Sequence, residues 1–350
     1  MDYNNLGKTS LKVSSYCLGT MTFGESTDED DAHLQINESY DAGINFIDTA
    51  EMYPTCPIRP ETTGDTEKII GNWIALNKEK RDKIILASKI VGNGFKSIRD
   101  GVSINKKSIS LAIEGSLKRL KTDYIDLYQL HWPNRGSYHF RRFWNYNPDF
   151  LSPDVIEEEI NEILFTLNSL KEDGKIRAIG LSNETCWGAM KYVNAVKSYE
   201  NLNIASIQNE YNLMCRLYDT DLNELSINEN IPLIAYSPLA QGFATGKFHL
   251  NPEKIKNNHR FRNAKLKRHK LTIDNTKEVI DELNKIADIH KSTPSQIALS
   301  WLVNFNSNVF AIPGATNSTQ ATDNAKALKI NLSKEEISKL DSVSKKIRNA

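Results

Sequence analysis

The sequence predicts an α/β fold of the (β/α)8 TIM-barrel class, with an N-terminal hairpin and extra C-terminal helices. Short β-rich apolar runs alternate with helical patterns along nearly the whole chain, which is how βα units read. These runs, near residues 15–19, 44–48, 84–88, 124–131, 176–181, 205–208, 232–236 and 309–312, supply the eight strands that closure requires. Polar residues close three successive runs: Asp48, Lys89 and His131. In a barrel of parallel strands such ends meet on one rim, where catalytic groups sit.

In chain order, Leu6-Gly7-Lys8 and Leu11-Lys12-Val13 alternate around a turn, which predicts a hairpin plugging the bottom of the barrel. Ile109, Ala112, Ile113, Ser116, Leu117 and Leu120 recur at three- and four-residue steps, making one core-facing helical stripe. Thr293-Pro294-Ser295-Gln296 reads as a capping box with proline at the first helical position, opening a helix through Trp301. Ser333-Lys334-Glu335-Glu336 repeats the box for a C-terminal helix outside the barrel. No linker or further repeat interrupts the series, so residues 1–350 are expected to form a single domain.

Three long segments follow strands and so belong to the catalytic face: 91–106, 132–153 and 237–275. The second carries Tyr138, Phe140, Phe143, Trp144, Tyr146 and Phe150 among Arg141 and Arg142. It fits either a cover packed over the rim or a substrate-lining lid.

Lys+Arg and Asp+Glu both number 44, so no overall field recruits nucleic acid or an acidic membrane. Cys17, Cys56, Cys186 and Cys215 are widely spaced and read as free thiols of a reducing compartment. No apolar stretch approaches the roughly 20 residues of a membrane span, and the first residues lack the pattern of a signal peptide. A cytoplasmic protein is expected, acting on a small molecule; the sequence fixes no oligomeric state.

Reducing a carbonyl requires a hydride on carbon and a proton on the developing alkoxide. Tyr53 lies in the loop after Asp48. A free phenol, with pKa about 10, is a poor acid at neutral pH, and a neighbouring ammonium makes it stronger. Lys89 is the candidate ammonium, Asp48 the group that keeps it charged and aligned, and His131 the hydrogen-bonding partner of the carbonyl oxygen. Taken singly, Tyr53 could be a packing residue, Asp48 a cap before Thr49, and His131 a core histidine. Lys89 resists such a reading, because a buried lysine needs a partner. A metal-dependent hydrolase is set aside: His131 has no second histidine at ligand spacing, and Lys89 would repel a cation. No metal is expected.

Gly43-Ile44-Asn45-Phe46-Ile47-Asp48-Thr49-Ala50-Glu51-Met52-Tyr53 resembles a signature of the aldo-keto reductases. Ser116–Leu120, Asp123–Tyr128 and His131-Trp132-Pro133 are similar to a second. Gly180-Leu181-Ser182-Asn183, Gln208-Asn209, Tyr236-Ser237-Pro238-Leu239 and Pro313-Gly314-Ala315-Thr316 continue the likeness in order. Glu51-Met52-Tyr53-Pro54, with Arg59–Thr62 and Gly71-Asn72-Trp73, is closest to the Tas-like branch. The resemblance implies a NADPH-dependent oxidoreductase that reduces aldehydes or ketones, with Asp48, Tyr53, Lys89 and His131 as its catalytic tetrad.

No G-x-G-x-x-G follows a strand, so the cofactor is expected across the barrel's top rather than on a Rossmann domain. By resemblance, Ser182, Asn183 and Gln208 hold the nicotinamide carboxamide and Tyr236 stacks on its ring. Ser237, Leu239 and Gly242 line the pyrophosphate, while Gly314, Thr316, Gln320 and Asn324 hold the adenosine. Lys247 and Arg260, with Arg262 beside it, would meet a 2′-phosphate, which favours NADPH over NADH. The alternative is a cofactor-binding regulatory subunit resembling potassium-channel β subunits. Such a subunit needs a partner-docking surface, and the expectation of no extended N-terminal arm favours the enzyme, while a retained tetrad is compatible with either role.

Overall fold

The computed structural model describes residues 3–55, 57–148, 152–257, 270–306 and 308–347. Two strands, β1 (Tyr3–Asn5) and β2 (Lys12–Ser14), form an antiparallel hairpin with Tyr3 opposite Ser14. Eight parallel strands follow: β3 (Cys17–Gly19), β4 (Phe46–Asp48), β5 (Ile85–Ile90), β6 (Ile125–Leu130), β7 (Ile176–Ser182), β8 (Ile204–Glu210), β9 (Leu233–Tyr236) and β10 (Val309–Ala311). They pair in sequence order from β3 to β10. The backbone N–H of Ala311 donates to Ser15 O and that of Gly19 to Pro313 O, both at 3.1 Å, bringing the last strand against the first. At this seam Gly19 lies beside Gly314, and a Cβ on Gly19 would stand 2.7 Å from the Ile312 side chain.

Side chains alternate across each strand. Inside the barrel, Cys17, Phe46, Ile85, Ala87, Leu127, Ala178, Ile234 and Phe310 pack with Leu6, Leu11 and Val13 of the hairpin, so the hairpin does plug the barrel. The outward set, including Ile47, Leu86, Tyr128, Ile179 and Ile207, packs against the surrounding helices. Helix 106–120 buries Ile109, Ala112, Ile113, Ser116 and Leu120 on its inner face. Capping boxes at Thr293 and Ser333 open helices Pro294–Phe305 and Lys334–Ser344. The second of these packs on the helices Ile273–Ile289 and Pro294–Phe305, outside the sheet.

Every barrel strand differs by one or two residues from the bounds read in the sequence, and two features of the strands bear on the site. β4 begins at Phe46 rather than at residue 44, because Asn45 spends its side chain on the hairpin. Its Oδ1 accepts from Ser14 N at 2.9 Å and its Nδ2 donates to Lys12 O at 2.9 Å. Pairing between β7 and β8 steps from Ile179–Ile204 to Gly180–Ser206, a bulge at Ala205 that re-aims the residues beyond it. No helix among the described residues is long and apolar enough to cross a membrane. Cys17, Cys186 and Cys215 are free thiols; Cys56 lies outside the described residues.

Candidate active site

Above the apolar filling, the rim end of the barrel interior turns polar. Asp48 ends β4, Lys89 is the penultimate residue of β5, and His131 directly follows β6. Beyond β4 the chain stays alongside β5, with Thr49 N donating to Ala87 O and Glu51 N to Lys89 O. It then turns, Tyr53 N donating to Ala50 O at 3.0 Å, and this turn sets the phenol over the rim.

Lys89 is wholly buried, and its ammonium has three oxygen partners. Nζ lies 2.6 Å from Asp48 Oδ2, 2.7 Å from Thr49 O and 3.5 Å from Tyr53 Oη. It also lies 4.9 Å from the centre of the Tyr53 ring. Burial works to lower the Lys89 pKa, but the Asp48 carboxylate and the Tyr53 oxygen outweigh it and hold the pKa above its ordinary value. The ammonium therefore stays charged beside the Tyr53 hydroxyl. His131 is buried and sets its ring edge-on to Tyr53, with centroids 5.8 Å apart. All four predicted catalytic residues are brought together.

The residues expected at the nicotinamide join the same network. Ser182 Oγ donates to Gln208 O at 2.9 Å, and Asn183 Nδ2 donates to His131 O at 3.0 Å and to Ser182 Oγ at 3.0 Å. Asn183 has φ +53°, a left-handed conformation that asparagine tolerates. Tyr236 Oη donates to Asn183 Oδ1 at 2.9 Å. Gln208 Nε2 donates to Asp48 Oδ1 at 2.8 Å. The donors and acceptors of this layer match the chemistry of a carboxamide, which offers an N–H2 and a carbonyl oxygen.

The remaining predicted contacts form two further groups. Ser237 has φ +54°, its Oγ accepts from Gln241 Nε2 at 2.8 Å, and it lies two residues before the half-buried Leu239. Gly242 has φ +96°, and a Cβ there would stand 3.1 Å from Lys247 Nζ, so the bare backbone lets the ammonium lie close. At the seam, Thr316 N and Oγ1 donate to Gln320 Oε1 at 3.1 and 3.2 Å, and Asn324 Nδ2 reaches Gly314 O at 3.4 Å. Arg260 and Arg262 lie outside the described residues.

Three ion pairs flank the rim that the sequence reading did not single out, two of them buried and that of Arg99 part-buried. Arg99 of segment 91–106 binds Glu51, at 2.7 and 2.6 Å. Arg135 pairs with Glu184, and Arg141 with Glu210 at 2.8 Å. His139 Nε2 lies 3.0 Å from Glu184 O. Segment 132–148 is thus tied to the ends of β7 and β8 through buried arginines, while Phe140 and Trp144 stay exposed. The available signal was local: Glu184 and Glu210 sit just where Asn183 and Asn209 mark strand ends, and carboxylates in such places need partners.

A model of the Aldo/keto reductase family matches residues 16–345. The chain belongs to that family. Aldo/keto reductases use nicotinamide cofactors, in keeping with the carboxamide-matching layer described above. The "Protein tas" of Escherichia coli is 39% identical over 98% of this chain and 97% of its own length. A probable voltage-gated potassium channel subunit beta of Arabidopsis thaliana is 31% identical, covering 94% of this chain and 92% of its own. A NADH-specific methylglyoxal reductase of Escherichia coli is 30% identical, covering 94% of each.

Proposed function

We propose that this aldo/keto reductase-family protein is a NADPH-dependent reductase of aldehyde or ketone carbonyls, with Tyr53 as the general acid. The observation that carries this reading is the buried Lys89 ammonium, shared between Asp48 Oδ2 and Tyr53 Oη. A nicotinamide held by Ser182, Asn183, Gln208 and Tyr236 supplies the hydride when bound.

The chain's own residues manage the proton. Tyr53 Oη gives its proton to the carbonyl oxygen as negative charge develops there. Lys89 stabilises the phenolate left behind, and Asp48 keeps the ammonium in place. His131 hydrogen-bonds the substrate oxygen, orienting it towards Tyr53 and supporting the oxyanion. Preference for the 2′-phosphate rests on the basic residues Lys247, Arg260 and Arg262 rather than on family membership, since one relative is NADH-specific.

Following NADPH consumption across a panel of aldehydes, ketones and quinones tests the proposal. Turnover of at least one carbonyl class is expected. Tight NADPH binding without turnover on any of them would favour a cofactor-binding regulatory subunit instead.

A further inference from the structure

Gln129 belongs to no set the sequence analysis assigned, yet it lies at the centre of the polar layer. It is fully buried on β6, two residues before His131, and so faces the barrel interior with it. Its Nε2 donates to Asp48 Oδ1 at 3.1 Å, and its Oε1 accepts from Gln208 Nε2 at 3.1 Å. Gln208 Nε2 also donates to Asp48 Oδ1. Two amides and one carboxylate therefore close a triangle inside the barrel.

The strand between them is built to allow it. Gln129 on β6 pairs with Gly180 on β7, and Gly180 with Ser206 on β8. A Cβ on Gly180 would stand 3.1 Å from Gln129 Cγ and 2.9 Å from Ser206 Oγ. Without that carbon, the Gln129 side chain reaches across β7 to Gln208. The bulge at Ala205 brings Gln208 inward to meet it.

The chemistry of the triangle fixes its polarity. An ionised carboxylate only accepts, so each amide must turn its N–H2 towards Asp48. The second hydrogen of Gln208 Nε2 is taken by Gln129 Oε1. Gln208 is left with its carbonyl oxygen for any further partner, which suits the N–H2 of a carboxamide. On the other side, Asp48 Oδ1 is filled by two amides, and Oδ2 is left for Lys89.

We infer that Gln129 is a positioning residue: it locks Gln208 as an acceptor for the nicotinamide carboxamide and aims Asp48 Oδ2 at Lys89, coupling cofactor seating to the Tyr53 acid. This rests on the function proposed above. Removing the amide frees Gln208 to rotate and leaves Asp48 one hydrogen bond poorer.

The test is Gln129→Leu, with NADPH affinity read by tryptophan quenching and the pH–rate profile measured on a carbonyl that the wild type reduces. A weakening of NADPH by about two- to tenfold, the worth of one buried hydrogen bond, is expected together with a displaced alkaline limb. Gly180→Ala keeps both amides but crowds Gln129, and should move the same two readouts in the same direction. It serves also where Gln129→Leu does not fold. Wild-type values for affinity and pH profile in the folded variants, with only a lowered Tm, would overturn the positioning role and leave the reductase reading standing. Failure of the wild-type protein to bind NADPH or NADH would overturn both.

Discussion

Lys89 Nζ stands 2.6 Å from Asp48 Oδ2 and 3.5 Å from Tyr53 Oη, so one buried ammonium is held by a carboxylate while facing a phenol. The pair is fully enclosed on the lysine side. A buried charge is tolerated when it is paired and hydrogen-bonded, and Thr49 O completes the set. On the proposed mechanism, the stability of this arrangement and its ability to strengthen an acid have the same origin: the ammonium lies where negative charge either stands or would appear.

Tyr53→Phe removes the proposed proton donor and keeps the ring that packs against His131. General acid catalysis contributes about 10²–10⁴-fold, so kcat for carbonyl reduction should fall within that range while NADPH affinity stays near wild type. Steady-state kinetics beside a cofactor titration checks both halves. Activity within about threefold of wild type would reassign the acid.

Lys89→Met takes away the charge that favours phenolate. The phenol should then lose its proton at higher pH, moving the alkaline limb of the pH–rate profile upward and lowering the neutral rate. Leaving Asp48 buried without its cation should cost about 3–5 kcal/mol of stability. In the double variant Asp48→Asn/Lys89→Met part of that loss should return while the shifted limb remains. A wild-type profile in the double variant would assign Lys89 to structure alone.

The barrel was legible because each strand is a short apolar run bounded by turns, and because Asp48, Lys89 and His131 interrupt successive runs near their ends. Gln129 was not, since a glutamine between Tyr128 and Leu130 carries no mark of its role. Its role depends on the bare Gly180 across the ladder and on the bulge at Ala205, and register of this kind is a property of paired strands rather than of one. The partners of Arg135 and Arg141 lie 49 and 69 residues away, beyond what local pattern can connect. The start of β4 was misplaced for the same reason, since Asn45 leaves the strand to serve a hairpin 31 residues earlier.

Arg260→Ala tests the 2′-phosphate assignment. Arg260 and Arg262 share the segment that begins after β9 with Lys247, whose ammonium is already placed at the Gly242 backbone. A charge-assisted contact to phosphate contributes about 1.5–3 kcal/mol, or roughly ten- to a hundredfold in affinity. NADPH should weaken by that order and NADH hardly change, both read by tryptophan quenching. Equal losses would place Arg260 elsewhere, and a wild-type preference for NADH would sink the assignment.

His139 gives the chain a pH-dependent stability of defined sign. Burial pushes its imidazole pKa down from 6.5 to about 4, against the opposing pull of Glu184 O and the Glu210 charge. Above pH 6.5 the ring is neutral in both folded and unfolded chains. Between 6.5 and 4 the unfolded chain binds a proton that the folded chain refuses, so unfolding is favoured increasingly as pH falls. At about 1.4 kcal/mol per pH unit, the full loss is about 3 kcal/mol and is complete near pH 4. The buried carboxyls Glu67 and Glu184 have raised pKa values and act in the opposite direction, the folded chain taking up protons first as pH falls. The His139 contribution is therefore isolated by difference. Urea unfolding of wild type and His139→Gln across pH 4–7 should show the wild type losing stability relative to the variant by up to that amount. A difference that stays constant with pH would mean that His139 titrates as an ordinary imidazole, and that segment 132–148 admits water where the buried ion pairs should exclude it.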